Sequence, residues 1–157
     1  MSTDPITYDI ANALILNACI KACADGEKGY AAAAADANDT DLKILLQRFS
    51  DQRAAFVLQL EEMMRSNGTF PDAKPSVAGA VHRGWVDLRM AIGGRNDFTI
   101  LEECARGDRA ALHAYERALG GKLEAMTHDM RMLVQGQYGS IRAGLDELEG
   151  RLRLRAP

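Results

Sequence analysis

Apolar residues recur in alternating steps of three and four over four stretches of the chain, which is the spacing of a helix seam. The first stripe runs Ile10, Ala13, Asn17, Ile20, Cys23, Glu27, Tyr30, Ala34. Asp4-Pro5 reads as a cap followed by proline at the first helical position. The stripe predicts a helix of about 30 residues, roughly 45 Å at 1.5 Å per residue. Gly26 and Gly29 each weaken it by up to ~1 kcal/mol relative to alanine. Such glycines often permit close approach of a neighbour. Ala37-Asn38-Asp39 is a short connection, with Asp39 as the next cap. The second stripe is Leu42, Leu45, Phe49, Gln52, Phe56, Leu60, Met63, ending near Asn67-Gly68. So short a connection predicts an antiparallel hairpin.

The stretch 68–94 breaks the pattern. Pro71 and Pro75 keep its first part non-helical. Ser76 then caps a shorter amphipathic helix with the stripe Val77, Val81, Trp85, Leu88, Ile92, closed by Gly93-Gly94. A third long helix begins at Asn96 or Asp97, with Leu101, Cys104, Asp108, Ala111, Tyr115 on its seam. Gly120-Gly121 breaks it. The fourth carries Met126, Met130, Leu133, Gln137, Ile141, Leu145, Leu148, and its tail, Arg151 to Arg155, is expected to fray. Hairpin, long crossover, hairpin is the connectivity of a one-crossover, ferritin-like four-helix bundle, because an up-down-up-down bundle needs no such long link. The whole chain, 1–157, reads as a single all-α domain.

Besides Asn17 near the start of the first seam, four polar residues interrupt the seams further in. Each lies roughly 16–24 Å from its own hairpin turn at 1.5 Å per residue, which predicts one mid-bundle layer of Glu27, Gln52, Asp108 and Gln137. Part of this pattern occurs twice. Cys23-Ala24-Asp25-Gly26-Glu27-Lys28 returns 81 positions later as Cys104-Ala105-Arg106-Gly107-Asp108-Arg109.

Asp25 to Tyr30, Gln52-Arg53 with Phe56, Ser76 to Leu88 (S-V-A-G-A-V-H-R-G-W-V-D-L) and Cys104 to Tyr115 resemble a bacterial family of uncharacterised ferritin-like proteins. The resemblance implies the fold and brings no settled activity with it. Di-iron bundles of this kind set one Glu on each of two helices and Glu-x-x-His on each of the other two. Glu27 and Asp108 match the single-carboxylate positions and are the candidate metal ligands. Ala55 and Ser140 stand three residues beyond Gln52 and Gln137, where histidines would be needed. Two carboxylates without bridging acids or imidazoles make a poor hard-metal site.

Two readings follow. In the first, the chain is a non-catalytic structural, stress-related or interaction protein with a degenerate di-metal site. Its buried acids are satisfied by the glutamines, or by Arg53 or Arg109 reaching in. In the second, it is a di-iron or di-manganese carboxylate oxidase or ferroxidase with an unusual ligand set. Iron or manganese is a cofactor only in the second.

Other features narrow the picture less. Cys23 and Cys104 sit one turn before the acids, as small core residues or as soft ligands or a redox pair. Three cysteines without a C-x-x-C pair argue against a disulfide scaffold or zinc finger and suit a reducing, cytoplasmic compartment. His82, His113 and His128 are scattered and expected at the surface or in grooves. Met63, Met64, Met126, Met130 and Met132 are expected to fill core gaps. A net charge of −3 points to no nucleic-acid partner. No signal peptide is apparent, and no apolar run approaches the roughly 20 residues of a membrane span. The alanine run Ala31 to Ala35 suggests a homo-oligomer, most simply a C2 dimer.

Overall fold

The structure is a computed structural model and describes residues 5–71, 96–121 and 126–156, with side chains described from Ile10 onward. Four helices make up the described chain: α1 (Pro5–Asp36), α2 (Thr40–Ser66), α3 (Asp97–Gly120) and α4 (His128–Arg155). Pro5 opens α1 as expected; Asp4 lies outside the described residues. The Asp39 carboxylate caps α2 by accepting from the backbone N–H groups of Asp41 and Leu42 at 2.9 and 3.3 Å. Asn67 caps the C-terminus of α2, and Gly68 follows at φ 74°, a left-handed conformation that glycine adopts without strain. Asn96 and Thr127 cap α3 and α4 through their side-chain oxygens.

α1 packs most extensively on α2, α3 on α4, and α1 on α3; α2 and α4 touch lightly. The two hairpins are antiparallel, and side-chain pairs set their relative direction. Along α1 and α3, Asn38 meets Asp97 while Cys23 meets Tyr115, so these helices are antiparallel. Along α2 and α4, Arg48 meets Glu147 while Gln59 meets Gln137, so these are antiparallel too. The start of α3 therefore lies beside the start of α2, and both helices run the same way. The Asp97 carboxylate fastens this end by accepting from the backbone N–H groups of Asn38 and Asp39 at 2.8 and 3.0 Å. The expected crossover helix, with His82 and Trp85, lies outside the described residues. No helix among the described residues is long and apolar enough to cross a membrane.

Three expectations need correction. The start of α1 buries Asn12, Leu16 and Cys19, one step round from the predicted Ala13, Asn17 and Ile20, before the buried face rejoins the predicted seam at Cys23; Ile10 is 58% exposed. The cause is visible in the sequence: residues 10–24 are apolar on nearly every side, so periodicity could not choose among faces. On α2 the buried face holds Arg53 and Met64, while Gln52 and Met63 are half-buried beside it. The tail does not fray, since α4 stays helical to Arg155. Arg155 is ion-paired with Asp39, and Arg151 with Glu147 at 3.5 Å. The seam of α3 is as predicted, with Leu101, Cys104, Asp108, Ala111 and Tyr115 all buried.

Candidate functional site

The centre of the bundle holds an ion pair. Arg53 reaches from α2 to Asp108 on α3, Nη2 to Oδ1 at 2.8 Å, with the side chains 1% and 3% exposed. Three features of the sequence make room for it. Gly26 on α1 lets the arginine stem pass: a Cβ there would sit 3.2 Å from Arg53 Cγ. Tyr30 and Phe56 flank the guanidinium, whose carbon lies 5.5 and 5.9 Å from their ring centres. These contacts favour a partly desolvated cation. Gln52 accepts a hydrogen bond from Arg53 Nη1. On the other side, Gly144 of α4 lies close to Asp108 Oδ2 and to the ring of Phe49, which itself meets Tyr30 edge-on at 5.3 Å.

Burial pushes the Asp108 carboxyl above the usual carboxylate range, while Arg53 and Tyr30 work against that shift. Burial is the largest influence on Arg53 and opposes its charge, but Asp108, Tyr30 and Cys23 together hold the guanidinium above its ordinary pKa. Not every valence in the cluster is met. Arg53 Nε, Asp108 Oδ2 and the Tyr30 hydroxyl are buried without a hydrogen-bond partner among the described residues. Tyr30 lies near enough to Asp108 to influence its ionisation, though the two make no hydrogen bond of good geometry.

A second chain of hydrogen bonds runs beside the first. Tyr115 Oη is 2.6 Å from Gln137 Oε1 and 3.0 Å from Cys23 Sγ. The amide oxygen can only accept, so Tyr115 donates to it and the Cys23 thiol donates to Tyr115. Gln137 then donates from Nε2 to the Phe56 carbonyl at 3.3 Å and to Gln59 Oε1 at 3.0 Å. Burial pushes the Cys23 thiol up to about 11, against the pull of Tyr115 and Arg53. Cys19 is pushed to about 12, and Cys104 higher still, by the same cause. Thiols so protonated at neutral pH are poor nucleophiles and poor metal ligands.

The four polar seam residues thus divide. Asp108 and Gln52 meet through Arg53, and Gln137 belongs to the Tyr115 chain. Glu27 is half-buried; its carbonyl accepts from the Ser50 hydroxyl at 2.8 Å. Of the two arginines considered, Arg53 enters the core, whereas Arg109 is exposed and pairs with Glu149 at 3.0 Å. His113 is exposed beside Glu116, and His128 is exposed. Met64, Met126 and Met130 are core residues, whereas Met132 is 56% exposed. Tyr30, Tyr115 and Asp97 were not singled out from sequence. The signal for the tyrosines was a hydroxyl on each buried seam; Asp97 gave none beyond its place in a first turn.

Among the described residues, no group of three or more His, Cys, Asp or Glu side chains could hold a metal ion. The protein is an all-α, four-helix protein whose central acid is neutralised from within. Residues 11–121 match a family described as Domain of unknown function (DUF2383), and the chain belongs to that family. Comparison with curated proteins finds no match.

Proposed function

We propose that this chain is a ferritin-like bundle in which an arginine takes the central place of a cation, and that it acts as a non-catalytic structural, stress-related or interaction protein. The shared direction of α2 and α3 supports the one-crossover part of this reading. The Arg53–Asp108 pair carries the rest. Asp108 Oδ1 is engaged by a guanidinium at 2.8 Å, and Arg53 also reaches Gln52, one of the two seam glutamines. Glu27 and Asp108 remain the carboxylates on which a metal would have to depend. Without bridging acids or imidazoles, and with a fixed positive charge beside Asp108, this donor set does not fit a di-iron or di-manganese centre.

The experiment is metal analysis of protein grown in iron- and manganese-replete medium, paired with melting in the presence and absence of each metal. The expected result is no stoichiometric metal and no metal-dependent shift. Stoichiometric metal with a stabilisation near 2.7 kcal/mol, the gain at about a hundredfold excess over Kd, would favour the carboxylate oxidase or ferroxidase instead.

Self-association belongs to the same reading. Ile10 and Leu14 lie one turn apart on α1, exposed at 58% and 68%. Such a pair suits a C2 contact with a second copy. Sedimentation equilibrium is expected to give a dimer, and a clean monomer at micromolar concentration would reject it.

A further inference from the structure

Residues of α1 that stand four apart form one ridge along the helix: Ile10, Leu14, Ala18, Ala22 and Gly26. The two halves of this ridge differ. Ile10 and Leu14 are large and exposed, at 58% and 68%. Ala18, Ala22 and Gly26 are small and line a trough of about 260 Å³ between α1 and α3, with Ala114 on the α3 side. A raised half therefore runs straight into a recessed half, and Ala18, where they join, is exposed.

Such a ridge is complementary to itself. In a twofold contact, residue i of one copy meets residue j of the other, and j meets i. With two copies of α1 antiparallel and Ala18 on the axis, position 14 of one copy falls against position 22 of the other. Position 10 likewise falls against position 26. Each large side chain then meets a small one, twice over.

Charge supports the same occupant. From Ile10 to Gly26 the only charged residues are Lys21 and Asp25. They stand one turn apart and have opposite sign. Burial raises the Asp25 carboxyl, and Lys21 works against that shift. This stretch of α1 thus carries no net charge to repel its own copy, and its first eleven residues carry no charge at all, as the core of an interface requires. Arg117 of α3, also at the trough, is exposed and can keep its head in water.

We propose that the dimer contact is this ridge: two copies of α1 pack antiparallel across Ala18, each seating its Leu14 in the other's trough against Ala22. The inference rests on the self-association proposed above and deepens it by naming the surface and its register.

The test is sedimentation equilibrium of full-chain variants. Leu14→Ala removes the raised side chain, and Ala22→Leu fills the recess. Each is expected to weaken the dimer at least about tenfold, because each change acts twice in a twofold contact. The double variant, Leu14→Ala with Ala22→Leu, exchanges large for small and is expected to recover most of the parent affinity. If circular dichroism shows that Ala22→Leu has lost helix, Ala18→Leu takes its place; at that exposed position it sets two leucines against each other on the axis and is expected to block the dimer. A parent dimer that neither blocking variant nor Leu14→Ala weakens would overturn this contact and leave self-association standing. Loss in both single variants without recovery in the double would overturn the antiparallel pairing. A monomeric parent at micromolar concentration would reject both readings.

Discussion

The two copies of the acidic motif have met different fates. Asp108 is 2% exposed and ion-paired, while Glu27, at the matching place on α1, is only half-buried. Both acids follow a buried cysteine by four residues and precede a base by one, so their local sequences do not explain the difference. The helices across from them do. α2 sends Arg53 to Asp108 past Gly26. The buried residues of α4 are Met130, Val134, Gln137, Ile141, Gly144, Leu145 and Leu148, with no charge among them. A carboxylate enters a helix core when a cation meets it there, because desolvation without compensation is too costly. Among the described residues no cation meets the Glu27 carboxylate, and Glu27 stays half-buried with access to water.

Replacement of the two acids by their amides breaks this comparison most sharply. Asp108→Asn leaves Arg53 charged and buried, so it should cost about 3–5 kcal/mol, the range for breaking one side of a buried pair. Glu27→Gln should stay within about 0.5 kcal/mol, as substitutions away from buried networks do. Urea denaturation of both variants checks the contrast, and equal losses would mean that the two acids are equivalent after all.

A smaller effect is expected at Tyr115. Tyr115→Phe keeps the ring but removes the donor to Gln137 Oε1 and the acceptor for Cys23. The cost should be about 1–3 kcal/mol for the unmet buried oxygen, measured by thermal melting. A loss confined to a few tenths would show that water takes over the hydroxyl's role.

The thiols predict an alkaline decline. The pKa of Cys23 rises from 9.0 to about 11 in the folded protein through burial. Below pH 9 the thiol is protonated in both states and its contribution is fully present. Between pH 9 and pH 11 the unfolded chain ionises first, so stability falls at about 1.4 kcal/mol per pH unit for the group. Cys23→Ala should flatten part of that slope, and the parent thiols should resist thiol reagents until the protein unfolds. Rapid modification of folded protein at pH 8 would contradict the burial.

The glycines give the smallest expected change. Gly139→Ala meets no neighbour within 4 Å and should stabilise α4 by up to about 1 kcal/mol. Gly26→Ala should lose that gain, because its Cβ would press on Arg53 Cγ at 3.2 Å. A stabilised Gly26→Ala would show that the arginine stem moves aside easily.

Much of this architecture is legible in the sequence because helix seams and caps are local. Asp39, Asn96 and the Asn67-Gly68 stop could be read from single residues beside a periodic pattern. The seam of α3 was equally clear, since its apolar residues alternate with charged ones. α1 was not, because an almost uniformly apolar stretch gives no face to prefer. The site was legible only in part. Asp108 and Gln137 stood out as polar groups on buried seams. Arg53 lay one residue from the predicted seam of α2, and nothing local distinguishes a long side chain that turns inward from one that turns out. Its entry depends on Gly26 and Tyr30, residues of another helix. Such long-range complementarity is set by packing and cannot be read from periodicity.

A double-mutant cycle on Arg53 and Asp108, followed by urea denaturation, tests the central claim most directly. Arg53→Met alone strands a buried carboxylate, and Asp108→Leu alone strands a buried guanidinium; each is expected to cost about 3–5 kcal/mol. The double variant replaces the pair by apolar groups, and it is expected to return to within about 1 kcal/mol of the parent or to exceed it. Single losses that simply add in the double variant would contradict the claim that these two residues neutralise one another at the centre of the bundle.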